Sequence, residues 1–416
     1  MKFAKNDARE TTSVTVTQLG ARMHYAVPRI LYYNGLLEHF YTDICATKGW
    51  PKYLNLIPSK IRNEPLSRLT GRVPSGIPEG AITTFPNFGL EYALRLRKAY
   101  SMSEYTKLFL WANKKFAKLV LDEGLKGSTL YSFNTAAFEL LQAAKEQRKR
   151  TIVEQTIVPR QVERDLIREE QQLHPQWETP IPDNTFVEEY IEREEREWKL
   201  ADTILCGSKF VKQKIEERGG PVERCTVVPY GVDNQFTVQP TRLSHDNKQR
   251  KVLRVLTVGS VTLRKGVPYI LEAAKKLQGK ANFRLVGSVR VVPEVAGYLQ
   301  SHLELIGQVP RSHIHAHYAW ADVFLLPSIC EGSATVTYEA LAAGLPVIAT
   351  PNTGAIIRDQ IEGFIIPIRD VDTIVEKLQL LANWPDLLAE MSESARQRAV
   401  YGSFDNYAKR LIQVFK

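Results

Sequence analysis

The chain has 416 residues, 44% hydrophobic and 24% charged, with a formal net charge of +9. That balance excludes a disordered or disulfide-stapled mini-protein and accommodates two or three packed domains. Cys45, Cys206, Cys225 and Cys330 lack CxxC spacing, which argues against a disulfide framework or zinc knuckle and suits a reducing cytoplasm.

In chain order, the opening MKFAKNDARETTS has no apolar stretch of the signal-peptide kind. No segment approaches the roughly 18 apolar residues of a spanning helix. A cytoplasmic protein, soluble or peripheral on the inner face of the membrane, is expected. Residues 13–19 alternate as a strand and end at Gly20, before an apolar-periodic helix over 24–33. Residues 51–86, rich in Pro, Gly and Ser, read as an irregular excursion, and 90–121 as helical. Strand 129–133, helix 134–147 and strand 151–156 follow, then charged helices at 159–173 and 186–200. Strand 203–207, helix 209–218 and strand 225–229 complete the first half.

Residues 238–251 are polar and aperiodic and read as a linker. Beyond it strands 252–258, 283–287, 303–307, 323–327, 346–350 and 364–367 alternate with helices 267–278, 293–302, 311–321, 334–343 and 371–382. Residues 404–416 form an amphipathic helix. Strands alternating with helices give an α/β fold with parallel sheets covered on both faces. The expected domains are 1–240 and 241–402, with 403–416 crossing back to the first.

Charge is uneven. Residues 1–150 carry 23 Lys+Arg against 12 Asp+Glu, with basic runs at Arg95, Arg97, Lys98, at Lys114, Lys115, Lys118 and at Arg148, Lys149, Arg150. Aromatics lie among them, which suits an anionic bilayer surface or an anionic acceptor. No recognition motif accompanies the charge, so nucleic acid is not expected. The acidic run 188–197 reads as a solvated helix face.

Two motifs carry chemistry. Glu331-Gly332-Ser333-Ala334-Thr335 follows an apolar strand and opens a helix containing Glu339. Small residues let backbone N–H groups approach a ligand, and the helix start favours an anion. A carboxylate beside that anion can accept bonds from a ribose diol, as in dinucleotide folds. Gly259-Ser260-Val261-Thr262-Leu263-Arg264-Lys265-Gly266 is a strand-to-helix loop, not a Walker loop, and ends in two cations suited to a diphosphate. His313 and His317 in HIHAH would share a helix face, but a polar face is the preferred reading over a metal site. Asp370 and Asp372 fit an N-cap and first turn better than metal ligands.

The second half resembles the retaining family-four glycosyltransferases of the GT-B fold, through LTVGSVTLRKG, FRLVGS, IGQVPRSHIHAHYAWADVFLLPSICEGSATVTYEALAAGLPVIATPNTGA and EGFIIPIRD. The resemblance implies two facing Rossmann-like domains with a cleft between them. It also implies transfer of a sugar from a nucleoside-diphosphate sugar to a sugar, polysaccharide or lipid-linked acceptor, with retention. Polysaccharide or glycolipid synthesis is the expected setting. By this resemblance Lys265 grips the donor pyrophosphate, with Arg264 beside it. Glu331 lies near the transferred sugar, and Glu339 on the nucleoside ribose. Gly259, Ser260, Gly287, Gly332, Ser333, Ala334 and Thr335 line the donor, and the backbone of Val309 meets the base. Two cations on the diphosphate imply no required metal or other cofactor. Ser260 stands where the family often has Arg, and Ser333 where it often has an aromatic residue. A histidine usual in the first domain is replaced near Glu154 and Gln155; Gly20 and His24 are further candidates there. Rival readings are a sugar-nucleotide epimerase on the same fold and a non-catalytic sugar-nucleotide-binding subunit.

Overall fold

The computed structural model describes residues 12–58, 61–180, 185–233 and 252–416. The linker expected at 238–251 lies outside them. Among the described residues, the first sheet contains β1 (Val14–Gln18), β2 (Leu37–Thr42), β3 (Ile82–Thr84), β4 (Thr129–Phe133), β5 (Arg150–Gln155), β6 (Thr203–Cys206) and β7 (Cys225–Val227). Its order is β3-β2-β1-β4-β5-β6-β7. The second contains β8 (Leu253–Val258), β9 (Ala281–Val286), β10 (Glu304–Gly307), β11 (Val323–Leu326), β12 (Val347–Ala349) and β13 (Gly363–Ile365), in the order β10-β9-β8-β11-β12-β13. Parallel pairing joins β2, β1, β4 and β5 in the first sheet and every neighbouring pair in the second.

Burial on both faces explains the strand sequences. β11 and β12 are apolar throughout and fully buried, and β8 interrupts its Leu and Val only with a half-buried Arg254 and a buried Thr257. β1 alternates Val and Thr, yet all five residues are buried. Its threonines are satisfied internally: Thr15 Oγ1 donates to the Lys126 carbonyl at 2.7 Å, and Thr17 Oγ1 shares a hydrogen bond with Ser132 Oγ at 2.6 Å. Around the second sheet, helix Val267–Lys276 buries Ile270 and Leu271, and helix Val371–Asn383 buries Ile374, Leu378 and Leu381. Each such side chain contributes roughly 1.5–3 kcal/mol on burial.

The chain forms two compact units. The first comprises Met1–Glu154, Asp183–Leu205 and Ile412–Lys416; the second comprises Gln155–Pro182 and Cys206–Leu411. Residues 155–182 and 206–233 thus fall in the second unit, although β7 pairs in the first sheet and the sequence places these residues ahead of a boundary at 240. Polar ties hold helix Arg160–Leu173 there. Tyr269 Oη donates to Glu170 at 2.9 Å, and Arg369 pairs with Glu170 at 2.5 Å and Glu169 at 2.7 Å.

Local signals account for several departures from the sequence reading. The helix expected at 90–121 is two, Pro86–Leu96 and Met102–Glu123. Ser101 starts the second through a capping box, its Oγ accepting the Glu104 N–H while Glu104 accepts the Ser101 N–H. β2, β3 and the short helix Glu64–Thr70 emerge from stretches without clear periodicity, and helix Pro385–Tyr401 opens on a proline.

The acidic run 188–197 is solvated on one face only, at Glu188, Glu192 and Arg196. It lies on helix Thr185–Leu200, where Arg193, Glu194 and Glu197 are buried. Glu197 accepts the N–H of Thr135 at 2.5 Å and of Ala137 at 2.9 Å, while Arg193 Nε donates to the Thr135 carbonyl at 2.6 Å. The acidic helix supplies acceptors for the turn after β4, which explains why these polar groups stay inside.

Candidate functional site

In the second sheet the strand order reverses between β8 and β11. Loops at the carboxyl ends of two strands diverging in this way form a ligand crevice in open α/β sheets. Those loops, 259–266 after β8 and 327–334 after β11, carry the residues singled out in the sequence. The Ile329 N–H donates to the Arg264 carbonyl at 2.9 Å, which locks one loop to the other.

The charges converge on one carboxylate. Lys265 Nζ lies 2.7 Å from Glu331 Oε1, and the side chains of both are only 10% exposed. Arg264 lies 3.7 Å from the same oxygen and 3.9 Å from Glu163. Burial pulls the Arg264 guanidinium down, but Glu331 and Glu163 outweigh it and hold the pKa above its ordinary value. Arg160 pairs with Glu163 at 2.5 Å, so three cations meet the carboxylates of Glu163 and Glu331, and the cluster keeps positive charge to offer an anion. Burial first, then Glu163, pushes the Cys330 thiol well up, so it is no thiolate nucleophile at neutral pH.

Helix Thr335–Ala342 begins beside this cluster; the Thr337 N–H turns back to the Ala334 carbonyl at 2.9 Å, while the N–H groups of Thr335 and Val336 precede any intrahelical acceptor. Ser333 Oγ shares a 2.6 Å hydrogen bond with Tyr338 Oη, which pins the turn. Glu339 is buried; it accepts from Tyr318 Oη at 2.9 Å and pairs with Arg311 at 2.6 Å. Burial raises its carboxyl pKa, opposed by Arg311 and Tyr318. Arg311 is 63% exposed, so its grip on Glu339 is readily exchanged for another donor. Sequence reading took Val309 from the loop after β10 and missed Arg311. The available signal was a cation just after the carboxyl end of β10, next to the Val309 loop.

Close backbone approach explains the glycines. A Cβ on Gly287 would sit 2.0 Å from the Gly259 carbonyl, and its φ is +154°. A Cβ on Gly332 would sit 2.3 Å from the Thr156 carbonyl. The second contact sets residues 156–157 against the Glu331–Gly332 turn, within the second unit. Gln155 is buried just before them, its Nε2 donating to the Ile157 carbonyl at 3.0 Å. Ser260 Oγ accepts from Ser288 Oγ at 3.1 Å, and Val309 is half-buried.

In the first unit, Glu154 is buried and accepts from Tyr131 Oη. The Gly20 N–H donates to Asp43 at 3.0 Å, and Asp43 pairs with Arg72 at 2.9 Å. His24 is exposed within three successive left-handed residues, Met23, His24 and Tyr25. Such backbone is costly for non-glycine residues and gathers at functional loops. No sequence signal announced it.

Among the described residues, no His, Cys, Asp or Glu cluster is arranged to hold a metal, and no helix is long and apolar enough to cross a membrane.

Comparison with known proteins gives a family match for the second half of the chain. Residues 241–398 match the family model of glycosyl transferases group 1. A putative colanic acid biosynthesis glycosyltransferase, WcaL, of Escherichia coli is 26% identical over 52% of this chain and 57% of its own. The amylovoran biosynthesis glycosyltransferase AmsK of Erwinia amylovora is 26% identical over 47% and 51%. The chain thus spans about half the length of these curated relatives. Anabaena HepE in complex with UDP superposes with a TM-score of 0.62, at 14% identity over 97% of this chain and 99% of that one. WaaG, a glycosyltransferase involved in lipopolysaccharide biosynthesis, does so with 0.59, at 16% identity over 97% and 99%. The 241–398 segment belongs with the group 1 glycosyl transferases, on a chain with the GT-B fold of two Rossmann-like domains.

Proposed function

We propose that this chain is a retaining glycosyltransferase that moves a hexosyl group from a nucleoside-diphosphate sugar to a sugar, polysaccharide or lipid-linked acceptor. The observation that carries this reading is the Arg264–Lys265–Glu331 cluster beside the start of helix Thr335–Ala342. Lys265 and Arg264 take the diphosphate and stabilise charge as it grows on the leaving group. Glu331 orients the ammonium and faces the sugar hydroxyls. Glu339 exchanges Arg311 for the ribose diol. The anomeric C–O bond to phosphate breaks as the acceptor oxygen bonds to the same carbon from the same face, and the acceptor proton passes to the departing phosphate oxygen. Two cations do the neutralising work, so no divalent metal is required.

HepE is described with UDP and with UDP and glucose, which makes uridine nucleotides the first probe. A saturating nucleoside diphosphate at about 100 times its Kd stabilises the folded chain by about 2.7 kcal/mol. A thermal-shift screen of nucleoside diphosphates and their sugars should therefore give a rise of several degrees with one base. No shift with any of them at millimolar concentration would sink the reading.

For the acceptor side, the reading extends to an anionic membrane surface. Tyr53, Leu56, Ile61 and Tyr100 of the first unit are 62–88% exposed, close in sequence to Lys52, Arg97 and Lys98. Exposed apolar groups among cations suit a bilayer interface. Vesicles with anionic lipid should sediment the protein at low salt and release most of it at about 0.5 M salt. Binding indifferent to salt and lipid charge counts against it.

A further inference from the structure

We propose that the second unit holds another ligand site, beside the donor loop, which takes an amphipathic organic phosphate. The site is a cavity of about 800 Å³. Phe210, Val227, Pro229, Ile356, Ile365 and Tyr401 give it apolar walls. Lys209, Lys214, Arg358 and Arg398 also line it, and no Asp or Glu does. Lys214 is paired with Glu217 at 2.7 Å, and Arg358 Nε donates to Glu362 at 2.8 Å. Lys209 and Arg398 have no carboxylate partner among the described residues. Arg398 Nε instead donates to the Ile356 carbonyl at 2.8 Å, and its guanidinium lies over the Tyr401 ring at 4.3 Å.

Two uncompensated cations in a concave wall favour an anion. A free phosphate would leave the apolar walls wet, since Ile365 is 41% and Tyr401 37% exposed. A neutral sugar would find no carboxylate to accept from its hydroxyls. A phosphate head on an apolar body satisfies both halves of the cavity.

The cavity is coupled to the donor turn by a shared segment. Asn352 and Gly354 line it. The Asn352 carbonyl accepts the Glu331 N–H at 3.0 Å, and the neighbouring Thr353 carbonyl accepts the Ala334 N–H at 3.1 Å. An occupant therefore bears on the segment that positions the donor carboxylate. The site stands on its own walls and charges; only this coupling rests on the glycosyltransferase reading.

The test is calorimetry on the full chain with geranyl phosphate, geraniol, inorganic phosphate and, separately, UDP. Geranyl phosphate should bind at least tenfold tighter than geraniol or inorganic phosphate. Lys209→Glu removes the exposed cation at the head, and Ile365→Asp places a charge on the half-exposed apolar wall. Each should weaken geranyl phosphate at least tenfold and leave UDP binding unchanged, which certifies the fold. Wild-type-like binding by both variants overturns the proposal, as does no binding of geranyl phosphate. Equal affinity for inorganic phosphate or geraniol overturns the amphipathic class. Direct competition between UDP and geranyl phosphate overturns the second site while leaving the donor site standing.

Discussion

Lys265→Ala should lower sugar transfer by about 10³-fold, roughly 4 kcal/mol of transition-state stabilisation, with the fold retained. The ammonium is held 2.7 Å from Glu331 in a nearly closed pocket, where charge is screened little by water. The effect should fall on kcat as strongly as on kcat/KM, because leaving-group charge is largest in the transition state. Stability should fall by less than about 3 kcal/mol, since Arg264 at 3.7 Å keeps the buried carboxylate from standing unpaired. Lys265→Arg should not rescue. The lysine Cε lies 3.1 Å from the position a Gly259 Cβ would take, so the glycine keeps the stem's path open, and a planar forked guanidinium does not reproduce the compact ammonium at its end. Steady-state kinetics with circular dichroism on both variants decide it, and unchanged turnover in the alanine variant refutes the role.

How much of this was legible follows from burial. In the second unit the central strands are buried, so β11 and β12 are continuous apolar runs and β8 departs from one only at Arg254 and Thr257; their ends are marked by Gly, Pro or Thr. The Arg264–Lys265 and Glu331 loops stood out because cations and small residues at strand ends break that pattern. Their contact through Ile329 and Arg264 did not, since loop-to-loop bonds leave no trace in sequence. In the first unit the pattern fails for physical reasons. β2 reads LEHFYT, with an exposed Glu38 and a buried His39. His39 is accommodated by Thr83 at 2.8 Å and Lys126 at 3.3 Å, partners that only the fold supplies. Its pKa is lowered to about 4, chiefly by burial and then by Lys126, so it is neutral where the strand packs. The left-handed turn at Met23, His24 and Tyr25 lacks the Gly or Asn that would announce it.

Glu197 carries the largest stability effect and the clearest sequence misreading. Burial pushes its carboxyl pKa up to about 8, against the nearby Arg193 and the N–H groups of Thr135 and Ala137; Glu194 adds to the rise. Between the ordinary carboxylate range and about pH 8, the folded state therefore holds a proton that the unfolded chain has released. Stability is greatest below the unfolded pKa and falls as pH rises through this window, by roughly 1.4 kcal/mol per unit and about 5 kcal/mol in all. Glu197→Gln keeps the side chain neutral throughout. Its single acceptor oxygen replaces two, so one N–H in the turn after β4 loses its partner, at a cost of about 1–3 kcal/mol. Urea midpoints measured from pH 5 to 8 should slope downward for the parent chain. The glutamine variant should start lower and run flatter, and the difference isolates this one carboxyl from every other titrating group. Parallel curves would mean that Glu197 is ionised in the folded state, with its two N–H donors and Arg193 outweighing its burial.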